Sequence, residues 1–121
     1  MENPITDAGL DHLQKLTKLK ELGLGQTRIT DAGLEKLKVF KEMQYLGLQG
    51  LNVTTAGLEH LKSLTALRWL DLTGCSQVKD LKPLSGLPLT TLSLGYGRQI
   101  QTVAPLAGMP LTSLSLFGCI K

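Results

Sequence analysis

Leucines at L-x-x-L-x-L spacing recur five times in this chain, and that fixed recurrence constrains its fold more than any other feature. The middle copy places Leu67, Leu70 and Leu72 in register, with the small residue Cys75 three positions later. The other copies start at Leu19, Met43, Leu89 and Leu111, so the step is 24 residues twice and then 22 residues twice. Self-similarity at such a period predicts stacked units, since one unit cannot bury its own leucines and must lean on its neighbours.

Within each unit the alternation predicts one short strand, with the leucines at unit positions four and six turned inward. Positions three, five and seven then face the opposite way. Five such strands, stacked in parallel at about 4.8 Å per step, form a sheet roughly 20 Å across. The first-half connectors repeat a helical signature. Leu10, Leu13 and Leu16 fall on one helical face, as do Leu34 with Leu37 and Leu58 with Leu61. Thr6 and Asp7 suit the N-cap and first turn of the first of these short helices. In the second half Pro83 and Pro105 sit inside the connectors, and Pro88 and Pro110 come just before a strand. Proline there favours a short 3₁₀ or irregular turn over an α-helix. The expected fold is therefore a right-handed α/β solenoid with a parallel sheet of about five strands on its concave side. The convex side carries short helices first and 3₁₀ or irregular segments later. Residues 1–4 read as a tail and 5–121 as one domain. That domain divides into a half repeat at 5–18, repeats at 19–42, 43–66, 67–88 and 89–110, and a terminal strand at 111–121.

Composition agrees with a layered core. Leucine supplies 27 residues and aromatics only five. The net charge of +3 is mild and its lysines are scattered, which gives no signal for nucleic acid. No stretch approaches the roughly 18–20 apolar residues of a membrane span, and no signal peptide is visible at the start. Cys75 and Cys119 share one unit position two repeats apart. That places them roughly 9–10 Å from each other across the sheet, beyond the ~7 Å reach of a disulfide. They read as small packed thiols that suit a reducing, cytoplasmic compartment, although the compartment stays open.

These residues resemble the leucine-rich-repeat family over positions 5–121. The first-half pattern of Ile5 to Leu13 and its copies resembles the cysteine-containing class of F-box and many bacterial repeat proteins. The second-half pattern from Val78 to Leu87 resembles the 22-residue internalin class of bacterial surface proteins. Leu51 and Gly97 depart from the Asn or Cys usual in those classes, which implies looser packing there. The resemblance implies a protein-binding role. It also raises a substrate-selecting arm of a ubiquitin ligase or bacterial effector, which would need a further domain. The chain starts in mid-repeat and stops after a strand. That leads us to expect either a piece of a longer solenoid or a homo-oligomer through exposed ends.

The residues that could carry function lie on the outward rows. Position three reads Glu21, Tyr45, Trp69, Thr91 and Ser113. Position five reads Gly23, Gly47, Asp71, Ser93 and Ser115, and position seven ends at Phe117 with Tyr96 beside that row. Exposed aromatics beside charge are the makings of a binding hot spot. The expected partner-binding set is Glu21, Tyr45, Trp69, Asp71, Thr91, Ser93, Tyr96 and Phe117. A competing reading has Tyr45 and Trp69 merely covering Gly23 and Gly47. His12 and His60 lack the partners of a metal site or catalytic base, Ser93 lacks a base, and no phosphate-binding glycine motif follows a strand. No catalytic residue, metal or cofactor is expected. The leading function is protein–protein recognition, and the alternative is a structural module that associates through its ends.

Overall fold

The computed structural model describes residues 5–119; the tail at 1–4 and positions 120 and 121 lie outside the described residues. Five strands form one parallel sheet in chain order: β1 (Glu21–Gly23), β2 (Tyr45–Gly47), β3 (Trp69–Asp71), β4 (Thr91–Ser93) and β5 (Ser113–Ser115). Their register is that of the repeat, pairing Leu22 with Leu46, Leu46 with Leu70, Leu70 with Leu92 and Leu92 with Leu114. The ladder continues past the strands. The Leu48 amide donates to the Asp71 carbonyl at 2.9 Å, and the Leu72 amide donates to that of Ser93 at 2.8 Å.

Burial shows what stacking achieves. Leu46, Leu70 and Leu92 are fully enclosed, while their equivalent Leu114 on the last strand is 39% exposed. Full burial of a leucine side chain stabilises by about 1.5–3 kcal/mol. The end strands therefore contribute less from the same residue.

The backs of the repeats are tighter than the spacing predicts. Only α1 (Asp31–Glu35) is α-helical, and it runs on as a 3₁₀ segment, Lys36–Val39. The first and third backs, Asp7–Leu13 and Gly57–Ser63, are 3₁₀ throughout. Backs of one or two turns gain few hydrogen bonds against the nucleation cost of an α-helix, and short connectors often adopt 3₁₀ geometry. The leucine face holds in the inner backs, where Leu34, Leu37, Leu58 and Leu61 are buried. It holds only in part in the first, where Leu10 is buried, Leu13 half-buried and Leu16, past the end of the segment, 51% exposed because no repeat packs outside it among the described residues. In the second half the 3₁₀ segments shrink to Lys82–Leu84 and Ala104–Leu106, each with its proline in the opening turn. A type II turn follows each, with Ser85 at φ −56°, ψ 131° before Gly86 at φ +87°. Ala107 and Gly108 repeat the geometry.

The threonines and aspartates of these backs do not cap their own helices. Neither Thr6 nor Thr30 makes a side-chain capping bond. Instead each aspartate reaches forward into the next repeat. Asp31 accepts from the Thr54 amide at 2.8 Å and the Thr54 hydroxyl at 2.6 Å, and Asp7 accepts from the same two groups of Thr30. The glycine three residues after each threonine makes room for this clasp. A Cβ on Gly57 would stand 2.0 Å from Asp31 Oδ1, and one on Gly33 would stand 2.3 Å from Asp7 Oδ1. At the change of period the pattern is rewritten. Thr55 Oγ1 takes the aspartate's place and accepts from the Lys79 and Asp80 amides.

The two ladder departures do not loosen the packing. Leu51 is buried, and the space beside Gly97 is filled by Ile100, whose Cδ1 would lie 2.7 Å from a Cβ there.

The clasp predicts a coupled pair. Asp31→Ala loses charge-assisted hydrogen bonds and should cost about 1–3 kcal/mol in urea denaturation. Gly57→Ala should destabilise the wild type, and cost much less once Asp31 is alanine. Strictly additive costs in the double mutant would show that the clasp is not the reason for the glycine.

Candidate functional site

The leucines are committed inward, which leaves the opposite, open face of the sheet as the candidate site. There the register sets Tyr45 directly beside Trp69, and the two rings stack with centroids 3.9 Å apart and planes 8° from parallel. Tyr45 remains exposed and Trp69 half-buried. The same register puts Glu21 beside Tyr45 on one flank and Thr91 beside Trp69 on the other. One step along the strands, Asp71 lies between Gly47 and Ser93. Its Oδ1 accepts from the Thr73 amide at 2.9 Å, which fixes the carboxylate at the end of β3.

Tyr96 and Phe117 belong to a second place. They follow the ends of β4 and β5, whereas Tyr45 and Trp69 begin β2 and β3. Their rings meet edge to face at 5.3 Å and 79°, and Phe117 is 70% exposed. The expected set thus divides into a central group of Glu21, Tyr45, Trp69, Asp71, Thr91 and Ser93, and a pair at the other rim.

The idea that the aromatics cover glycine does not hold. A Cβ on Gly23 would meet nothing within 4 Å, and the nearest atom to one on Gly47 is Gln49 Oε1. The rings pack on each other instead, and an aromatic pair adds about 0.5–1.5 kcal/mol beyond area burial. Gln49 is the residue that sequence reasoning passed over. It folds back over Gly25, where its Cδ would lie 2.4 Å from a Cβ. Its Oε1 is buried with no hydrogen-bond partner among the described residues. The flanking Gly25, Gly47 and Gly50 were the available signal for a side chain lying flat.

Other candidates resolve into structure. Both cysteines are free thiols, and each donates to the carbonyl of the preceding repeat: Cys75 Sγ to Leu48 and Cys119 Sγ to Leu94, both at 3.1 Å. Burial pushes the Cys75 thiol up to about 11, opposed by backbone hydrogen bonds and reinforced by nearby Asp71. His12 is exposed and His60 half-buried on the backs, and no group able to hold a metal ion occurs among the described residues. No helix among the described residues is long and apolar enough to cross a membrane. A depression of about 550 Å³ lined by Lys79, Asp80, Arg98 and Gln101 lies along the side loops of the second half, away from the aromatic stack.

The repeated strand, the shared register and the leucine core define a solenoid built from leucine-rich units. Compared with known protein families, residues 15–38 match the family described as Leucine Rich repeat, which supports the leucine-rich-repeat reading of this solenoid. Modules of this family generally serve protein–protein interaction. A comparison with curated proteins finds no match.

The thiol environments predict a large difference in reactivity. At pH 8 iodoacetamide should modify Cys119 well before Cys75 in the folded protein, and both readily in denaturant. The sign for stability follows from the same shift. The unfolded Cys75 thiol ionises near its ordinary value of 9.0 and the folded one only near 11. Its neutral form is favoured by folding, so this contribution is intact below pH 9 and lost as pH rises from about 9 to 11. Equal labelling rates in the native protein would contradict this assignment.

Proposed function

We propose that this chain is a non-enzymatic recognition module that binds a protein partner on the open face of its sheet. The observation that carries the reading is the Tyr45–Trp69 stack, held at 3.9 Å on a face that the leucine core does not use. Two aromatics fixed against each other lose little conformational freedom when a partner covers them, which is what an interface anchor requires. Asp71, Glu21, Thr91 and Ser93 supply polar groups around them. Tyr96 and Phe117 offer a second apolar contact at the far rim.

The test uses binders selected from a displayed random dodecapeptide library on the folded wild-type chain. These are then measured against a Tyr45→Ser, Trp69→Ser double variant whose circular dichroism matches the wild type. Loss of about 2 kcal/mol or more, roughly 30-fold in Kd, is expected for an anchor of this kind. Binders that keep their affinity for the double variant would overturn the reading.

A second reading, assembly through the outer faces of the terminal repeats, is favoured by a specific observation. Leu114, Leu116 and Phe117 are exposed at one end, and a groove of about 400 Å³ lined by Ile5, Leu10, Leu13 and Leu22 opens at the other. Exposed apolar patches and strand edges invite such contacts. Under this reading light scattering at high concentration shows association that Leu116→Arg abolishes. A wild type that stays monomeric removes it.

A further inference from the structure

We propose that the segment recognised by the open face is a cationic one: an extended polypeptide presenting two arginine or lysine side chains to Glu21 and Asp71 across the aromatic stack. The inference rests on the reading of this face as the binding surface, and adds the chemistry of what binds.

Charge is distributed unevenly over the molecule. The chain carries 13 basic and 10 acidic residues. Yet positions three, five and seven of the five strands hold only two charges, Glu21 and Asp71, and both are negative. Lys20 and Arg68 immediately precede β1 and β3 in the chain. Arg68 is turned away, its guanidinium donating to the Thr65 and Leu67 carbonyls at 3.3 Å each.

Neither carboxylate is used up internally. Glu21 is exposed and makes no ion pair or hydrogen bond among the described residues. Asp71 commits Oδ1 to the Thr73 amide and leaves Oδ2 without a hydrogen bond among the described residues. Beside Glu21 the sheet is bare, since nothing lies within 4 Å of a Cβ built on Gly23. A guanidinium or ammonium entering there meets the Glu21 carboxylate and the flank of Tyr45 together. Charge pairing and cation–π attraction each favour it. Nucleic acid is disfavoured by the same two carboxylates.

The spacing of the ligand follows from the sheet. Glu21 and Asp71 are two strands apart and offset by two residues, a separation of about 12 Å at standard strand spacing and rise. An extended chain rising about 3.3 Å per residue covers that in three to four residues. Side chains of an extended chain alternate faces, so of these spacings only four puts both cations on the sheet side. The structure therefore assigns a segment with cationic side chains four positions apart, laid across the strands over Tyr45 and Trp69.

Trp69 is the only tryptophan, so its fluorescence reports this face directly. The full chain is titrated with Gly/Ser dodecapeptides carrying two arginines four apart, two glutamates four apart, or no charge. The arginine peptide should perturb Trp69 and bind at least about tenfold more tightly than the glutamate peptide, weakening as salt rises. Glu21→Gln and Asp71→Asn should each weaken it about two- to five-fold, the range of exposed ion pairs. Neutral or acidic peptides that perturb Trp69 equally well, unaffected by either variant, would overturn the cationic assignment and leave the binding face standing. Binding of the arginine peptide that leaves Trp69 fluorescence unchanged and survives both variants would place the cation elsewhere and overturn the proposal as well. Failure of every peptide here, together with selected binders that keep their affinity for the Tyr45/Trp69 double variant, would bring down the face itself, while the same failure with binders that need the stack would overturn the cationic assignment alone.

Discussion

A strand of three residues cannot stand alone, and that dependence of each repeat on its neighbours governs the rest of this structure. Every strand–strand hydrogen bond runs between repeats, so the backbone of one unit is satisfied only by the next. The side chains follow the same logic. Leu70, between two neighbours, is fully buried, while Leu22 on the first strand is half-buried and Leu114 on the last is exposed. The identity of the residue is constant, and only the presence of a neighbour differs. Smaller bonds reinforce the stacking direction: aspartate to the next repeat's threonine, cysteine thiol back to the previous repeat's carbonyl. Cooperativity in such an array comes from interfaces more than from the units.

This division leaves the open face chemically free. Position four must be apolar in every strand because the core closes over it, but position three can be Glu21, Tyr45, Trp69, Thr91 or Ser113 without disturbing the register. Variation is tolerated there because side chains stand clear of the core, and the parallel register then turns sequence-distant residues into immediate neighbours. Tyr45 and Trp69 are 24 positions apart in the chain and stacked in space.

Much of this was legible before any coordinates. The strands, their order and their register all follow from the leucine spacing, because a repeat that buries one face admits no slip. The outward rows, and with them the members of the candidate site, follow from the same alternation. What the sequence could not show depended on partners in another repeat. Thr30 and Asp31 look like a capping pair when read locally. In fact Thr30 serves the aspartate of the preceding repeat, and Asp31 the threonine of the next. Gly33 and Gly57 look like helix weaknesses until the incoming carboxylates are placed over them. The leucine face predicts a helix but does not distinguish α from 3₁₀, since both present residues three apart on one side. Within the site, the division into a central group and a rim pair comes from where the residues fall along their strands, together with the ring contacts.

The rim pair illustrates how a local rule is broken and compensated. The turn after each strand needs one residue at positive φ, supplied by Gly50, Gly74 and Gly118 in three repeats, but by Gln26 and Tyr96 at φ 60° in the other two. A left-handed conformation costs a non-glycine residue about 1–2 kcal/mol. In both exceptions the side chain lies over the glycine that holds the same place in the following repeat: Gln26 over Gly50, and Tyr96 over Gly118. Those glycines consequently do two things, meeting their own turn geometry and leaving room for the neighbour's side chain. For Tyr96 the Phe117 ring closes the other side. Its unfavourable backbone is thus held by contacts from the next repeat, which means that the aromatic rim depends on the last repeat staying packed. The central stack lies on β2 and β3, each flanked by strands on both sides, and has no such dependence on the last repeat.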